Sequence, residues 1–423
     1  MNSSATSYSA PRQCLIVILS LLPLWLAGCG GGGGGKSDAT MLPALAAVTP
    51  QLLASADMAA LGQRIFTDPN LSEPRGTACV NCHQANMGFA GNNGSTLGVA
   101  RGGTPAALGL RNAMTNSYSG LIPAFHFSVE DGKAEAVGGL LWDGRADTLT
   151  QQAAGPLLHP LEMNNSDTAS VVAKIAAAPY AGEFRRLFGS RVFDDPAAAF
   201  TRIGNALEGF QRSQLQTFSS KYDDMVRGTA TLTASEARGM ALFRDPARAN
   251  CAGCHLMNLD TGKPEDSPFT EFSFYAIGVP RNPAIARNAD PTFFDLGLCG
   301  PERTAPTLPA EVLATGVTLD NFCGMFRMPT LRNVAERPAF MHNGFFKDLR
   351  EVVRFYATRH RNPTEFYGGD GTPNDLPAKY LGNIEKTKAP FNLPASAPAV
   401  LSPSEIDDVV AFLRTLSDSA RPR

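Results

Sequence analysis

The chain has 423 residues, 43% of them hydrophobic and 18% charged, which excludes a disordered or collagen-like chain and leaves room for two or three domains with real cores. Lys+Arg 37 against Asp+Glu 39 leaves a formal net charge of −2, so no electrostatic footprint for nucleic acid or an anionic membrane surface is present. Gly 40 and Pro 31 together exceed the usual share of about 12%, which predicts long irregular connections, and the placement of the 8 cysteines is the most informative feature of the composition.

Residues 1–28 hold one basic residue, Arg12, and then the apolar run Leu15–Leu26, which is too short to span a bilayer with margin and ends in small residues. This reads as an export signal. Leu26-Ala27-Gly28-Cys29 resembles the lipobox of bacterial lipoproteins, which implies lipidation at Cys29; an ordinary signal cleaved nearby is the alternative. Gly30 to Gly35 then act as a flexible tether within residues 29–56. Gly30 directly after Cys29 implies sorting to the outer membrane. The expected address is the periplasmic face of a bacterial membrane, an oxidising compartment, with membrane contact only through the lipid.

Further along, the chain echoes itself once. Gly62-Gln-Arg-Ile-Phe66-Thr-Asp68-Pro69 precedes Cys79-Val-Asn-Cys82-His83, and Gly239-Met-Ala-Leu-Phe243-Arg-Asp245-Pro246 precedes Cys251-Ala-Gly-Cys254-His255. Two related modules in tandem are expected, over residues 57–230 and 231–423. Ile203, Leu207 and Phe210 form a helical stripe near the end of the first. Thr233-Ala-Ser-Glu236 is a capping box that opens the helix leading into the second copy. Ser402-Pro403-Ser404-Glu405 opens a terminal helix whose Ile406, Val409, Val410, Phe412 and Leu413 fall mostly on one face. Strand-length alternation is scarce, so the fold class is all-α.

Cys-x-x-Cys-His is the attachment signature of a c-type haem. Two thiols one helical turn apart add across the vinyl groups, and the adjoining His binds iron. A zinc knuckle would want further Cys or His at close spacing, and a thioredoxin-like pair would want a βαβ context. Two covalent haem c groups are therefore expected, at Cys79, Cys82 and His83 and at Cys251, Cys254 and His255, each in a cytochrome c-like helical domain. Cys14 and Cys29 belong to the export signal. Cys299 and Cys323 remain, an even pair that suggests a disulfide, with two free buried thiols as the alternative.

Between the two copies lie Leu141-Trp142-Asp143-Gly144-Arg145-Ala146, Gln152-Ala-Ala-Gly155-Pro156 and Pro160-Leu-Glu162-Met163. Beyond the second copy lie Arg332-Asn333-Val334, Phe340-Met-His342-Asn-Gly344 and Val352-Val-Arg-Phe-Tyr356. Over roughly residues 57 to 420 this pattern resembles the bacterial di-haem cytochrome c peroxidase and MauG family. The resemblance implies an enzyme that takes hydrogen peroxide at the first haem. A base there moves a proton from the inner to the outer peroxide oxygen. Glu162 matches that base, Gln152 its hydrogen-bonding companion, and Pro156 a residue shaping the pocket; without the family pattern they would read as a surface Glu and a capping Gln. Trp142, the single Trp after the export signal, matches a relay between the haems, with core packing as the alternative.

For the second haem the resemblance implies Tyr356 as sixth ligand, as in the MauG branch, where ordinary members have Met; Met325 or Met328 is the alternative. Ordinary members also close the first haem with a His on the loop after the first Cys-x-x-Cys-His. Residues 84–111 contain no His, which implies an open haem. His126 lies in an insertion and is expected to be packed or at the surface, and His159 sits beside the distal motif. The family's calcium ion would be held by the Asn112 side chain and the carbonyls of Arg337 and Ala339, although Arg-Pro-Ala-Phe-Met-His departs from the usual Thr-Ala-Pro-Tyr-x-His.

The implied function is a peroxidase that forms high-valent haem and oxidises a protein partner. Thr358-Arg-His-Arg-Asn362-Pro363-Thr-Glu-Phe-Tyr367 resembles the copper-acquisition relative MbnH, which favours oxidation of a partner's tryptophan. An ordinary peroxidase supplied with electrons by a small cytochrome or cupredoxin is the second reading, and a non-enzymatic di-haem electron carrier the third.

Overall fold

Two glycines at equivalent points of the internal echo set how each half is built. The computed structural model describes residues 48–420; the export signal, Cys14, Cys29 and Gly30 to Gly35 lie outside them. The helix Ala56–Phe66 starts at Ser55, whose hydroxyl accepts the Met58 amide at 3.2 Å, and it buries Met58, Leu61, Gly62, Ile65 and Phe66 along one face. It crosses the helix Pro196–Gln214 at Gly62, where a Cβ would stand 2.0 Å from the Ala206 carbonyl oxygen. In the second half, Ala234–Arg244 crosses Pro403–Arg414 at Gly239, where a Cβ would stand 1.9 Å from the Asp408 carbonyl oxygen. The phenylalanine one turn later locks each crossing. Phe66 meets Phe210 with ring centroids 5.1 Å apart, and Phe243 meets Phe412 at 5.3 Å.

Each helix pair anchors its own apolar core. One core runs from Met58 to Leu215 and includes Leu157, Ile175, Phe184 and Leu207. The other runs from Tyr222 to Leu416 and includes Phe269, Phe355, Val409 and Phe412. Tyr222, on the short helix Lys221–Val226, packs with the second core.

The described residues are mostly helical, with two small antiparallel ladders added to the all-α expectation. His126–Glu130 pairs with Lys133–Val137, and Phe274–Tyr275 pairs with Phe326–Arg327. The first is a hairpin turned by Asp131-Gly132, both with positive φ, the backbone a tight hairpin requires. It lies on a third apolar cluster containing Phe274, Leu298, Val312 and Phe322. His126 opens this hairpin as an exposed side chain with Nδ1 3.0 Å from the Ala124 carbonyl.

The halves are joined by buried charge and close backbone contact. Arg111 reaches Asp143 at 2.7 Å and, across to the second half, Asp295 at 2.6 Å. Gly344 abuts Gly98 so closely that a Cβ on it would stand 1.9 Å from the Gly98 carbonyl oxygen. Cys299 and Cys323 are joined by a disulfide. Among the described residues no helix is long and apolar enough to cross a membrane.

Candidate active site

Both Cys-x-x-Cys-His segments form the same tight turn. In the first, Cys79–Cys82 is one helical turn and the His83 amide donates to the Cys79 carbonyl at 2.9 Å. In the second, the His255 amide donates to the Cys251 carbonyl at 2.8 Å. Each imidazole is then oriented the same way: Nδ1 of His83 lies 2.8 Å from the Phe89 carbonyl, and Nδ1 of His255 lies 2.9 Å from the Phe269 carbonyl. A carbonyl on Nδ1 places the proton there and leaves Nε2 with its lone pair, the form a metal takes. Burial lowers both histidines, His255 to about 4, so both are neutral at pH 7. Burial also pushes Cys79, Cys82 and Cys251 up to about 12 and Cys254 to about 11. These are neutral thiols in apolar surroundings, unlike the low-pKa thiolates of redox or zinc pairs.

The first turn borders a cavity that also gathers Gln152, Pro156 and Glu162. Gln152 and Pro156 ride on the helix Leu149–Leu158, capped by the Thr148 hydroxyl. Pro156 has no amide hydrogen, so the Gln152 carbonyl four residues earlier lacks its helical partner. Glu162 follows on a turn held by two backbone bonds, its amide donating to the His159 carbonyl at 3.0 Å and its carbonyl accepting from Gly103 at 2.7 Å. The loop beneath can approach because of Gly102, where a Cβ would stand 2.2 Å from the Leu161 carbonyl oxygen. Protein packed around the Glu162 carboxyl raises its proton affinity, while His159 and Arg145 oppose that. Its side chain keeps 39% of its area accessible and lines the cavity.

A second, larger cavity is lined by Cys251, Cys254, His255, Met328, His342 and Tyr356, and one wall of it is Trp142. Tyr356 comes from the helix Leu349–Thr358, and burial raises its phenol well above the ordinary value. Met328 shares the wall, whereas Met325 does not. Trp142 is buried, and its indole N–H donates to the Asn112 carbonyl at 2.8 Å. It meets His342 edge-on at 6.5 Å, and His342 stacks on Phe326 at 3.6 Å. His342 Nε2 is buried without a hydrogen bond, although Asp375 Oδ2 lies 3.3 Å away. Both cavities, with paired neutral thiols and a neutral imidazole oriented through Nδ1, fit haem.

Two of the residues expected to hold calcium, Asn112 and Ala339, are brought together. Asn112 meets Ala339, but through nitrogen: its Nδ2 donates to the Ala339 carbonyl at 2.9 Å and to the Met341 carbonyl at 3.2 Å. Its Oδ1 faces away, accepting from Asn92 Nδ2 at 2.9 Å, and Asn92 is fixed because its own Oδ1 accepts the Ala113 amide at 2.8 Å. Arg337 enters with its guanidinium, donating to the Ala113 carbonyl at 3.0 Å and the Ala339 carbonyl at 3.4 Å. Protein donors thus occupy the side where a cation would need oxygens.

Several groups around the site carry no signal in the sequence. Asp143 of the Trp-Asp-Gly-Arg run accepts Arg111 at 2.7 Å and Arg145 at 2.8 Å, so the motif also ties the residue beside Trp142 into a buried charge network. Asp295, Glu302 and Arg327 reach this region from the second half. No local pattern marks them, because their partners are more than a hundred residues away.

Paired Cys-x-x-Cys-His turns among mostly helical described residues, the first beside a cavity that also holds the Glu162 carboxyl, define a haem oxidoreductase. Residues 56–231 match the family model of the di-haem cytochrome c peroxidases. The methylamine utilization protein MauG of Paracoccus denitrificans (strain Pd 1222) is 35% identical over 386 residues, covering 90% of this chain and 93% of that protein. The cytochrome c551 peroxidase of Nitrosomonas europaea is 26% identical over 340 residues, covering 79% of this chain and 82% of that protein. The crystal structure of the diheme peroxidase BthA from Burkholderia thailandensis E264 superposes with a TM-score of 0.78 at 39% identity, covering 86% of this chain and 87% of that one. The chain belongs to the family of bacterial di-haem cytochrome c peroxidases and MauG proteins.

Proposed function

We propose that the protein is a peroxidase of the MauG type, which spends the two oxidising equivalents of hydrogen peroxide on tryptophan in a protein partner. The observation that carries the reading is the single cavity that gathers His83 with Gln152, Pro156 and Glu162. Covalent haem at His83 would supply the iron that takes up peroxide, and a second at His255 and Tyr356 would share the oxidising charge. Glu162 takes the proton from the inner peroxide oxygen and returns it to the outer one, so that water can leave. Gln152 lines the same cavity, and Pro156 shapes the helix wall beside it. Trp142 is suited to relay charge because its indole is oxidisable, buried and fixed by the Asn112 carbonyl. The MauG reading is supported by Tyr356 on the second cavity wall and by the absence of His from residues 84–111.

The test is stopped-flow spectroscopy of the diferric protein with one equivalent of peroxide, followed by reduced cytochrome c. Loss of the high-spin signal and a long-lived oxidised product support the MauG reading. Rapid steady turnover with reduced cytochrome c overturns it in favour of an ordinary peroxidase, and an unchanged spectrum overturns the enzyme assignment at this cavity. Lipid anchoring at Cys29 belongs to the same proposal. Cys29→Ala should release the protein from the membrane fraction, and retention there would refute the anchor.

A further inference from the structure

Beside Glu162, and not among the residues lining the cavity, stands a histidine held between two carboxylates. His159 caps the helix Leu149–Leu158. Its Nδ1 accepts the Leu161 amide at 3.3 Å and lies 3.6 Å from Glu162 Oε1. Its Nε2 lies 3.3 Å from Glu302 Oε2. Glu302 arrives from the second half on the segment after Cys299, which the disulfide to Cys323 ties down, and Arg145 lies 3.8 Å from the same Glu302 oxygen. His159 and Glu302 keep 28% and 20% of their side-chain area accessible, less than the 39% of Glu162, which lines the cavity.

The orientation follows from the hydrogen bonds. An amide N–H directed at Nδ1 requires a lone pair there, so the neutral ring carries its proton on Nε2, beside Glu302. A second proton then adds at Nδ1, on the side facing Glu162, and releases the long 3.3 Å bond from the Leu161 amide. The Nδ1 to Oε1 gap is longer than a hydrogen bond, so the effect on Glu162 is one of charge rather than of a shared proton. The titratable and charged groups facing the ring are Glu162 on its own turn, Arg145 ahead of it, and Glu302 from the second half.

We propose that His159, held by Glu302, is a positioning residue whose positive charge keeps Glu162 ionised at the wall of the cavity, so that Glu162 can act as a base. The inference rests on the peroxidase reading above and specifies how its base is regulated. Burial favours the neutral Glu162 carboxyl, and a cation within about 4–6 Å favours the carboxylate. Glu302 supplies the counter-charge that holds the imidazolium: it raises His159, and His159 lowers Glu302 in return. The base in the first half is thereby tuned by a carboxylate from the second.

Three variants test this: His159→Gln, Glu302→Gln and His159→Lys. The rate constant for peroxide is measured against pH, and the Glu162 carboxyl is followed separately by infrared titration, its band being the one missing in Glu162→Gln. In His159→Gln both the acid limb and the carboxyl band should move up by about 1 pH unit, a loss of about tenfold on the acid side with convergence at high pH. Glu302→Gln should move them the same way by less, and His159→Lys should move them back. Superimposable profiles in wild type and His159→Gln, or a shift that Lys does not reverse, would overturn the assignment. If the wild type itself ignores peroxide, the peroxidase reading has failed, and the infrared titration still decides whether His159 governs Glu162.

Discussion

Glu162 is the proposed base, and its surroundings fix the sign of its pH dependence. Burial raises its proton affinity, so the base form exists only above a pKa higher than the usual ~4.3 of a free Glu. The rate with peroxide should therefore fall as pH drops through that raised value, and Glu162→Gln should lower it by about 10²–10⁴ at neutral pH with the haem spectrum intact. A Gln variant reacting at the wild-type rate would remove Glu162 from the mechanism. At the second cavity, Tyr356→Phe should change the ferric spectrum of one haem and leave peroxide uptake beside His83 in place. A spectrum identical to wild type would pass the ligand role to Met328, which shares the cavity wall. These residues were legible in the sequence because each sits in a short contiguous motif or at a fixed step from one. His159 was noticed only as a neighbour of the motif, since its significance depends on Glu302, a partner 143 positions further along the chain.

Helix crossings are where the internal echo acquires physical meaning. Gly62 and Gly239 are the same position of the repeated segment, and each lets a helix lie against the backbone of its partner. Gly62→Ala or Gly239→Ala must push the partner helix away, which should cost about 1–3 kcal/mol or more, despite the better helix propensity of Ala. Denaturant titration of each variant checks it, and a stability equal to wild type would mean that the crossings relax freely. The helices themselves were readable because capping residues and apolar spacing are local: Thr233 and Ser402 cap where the sequence places them. The hairpin His126–Val137 was not. Its strands present a mixed pattern, and their stability comes from Phe125 and Phe127 packing on Phe274 and Phe322, contacts between segments distant in sequence.

For the whole molecule, the question is what couples the two cores, and the buried Arg111 gives the clearest handle on it. Its guanidinium holds Asp143, next to Trp142, with one arm and Asp295, from the second half, with two nitrogens. Burial alone would favour a neutral Asp295, but the Arg111 guanidinium outweighs it and holds the carboxyl below its ordinary range. A depressed carboxylate contributes stability above its unfolded pKa of about 3.9 and loses it as pH falls through the lower folded value. Asp295→Asn should accordingly cost about 3–5 kcal/mol at neutral pH, because it leaves Arg111 with one charge partner for a buried cation. It should also flatten the acid limb of a Tm against pH curve, since the group that titrates there is gone. If the pair serves mainly to align the halves, the same variant should also slow charge transfer between the two haem sites, while peroxide uptake at the first proceeds unchanged. Unaltered stability together with unaltered transfer would remove the Arg111–Asp295 pair from the coupling and place it in the apolar and backbone contacts near Gly98 and Gly344.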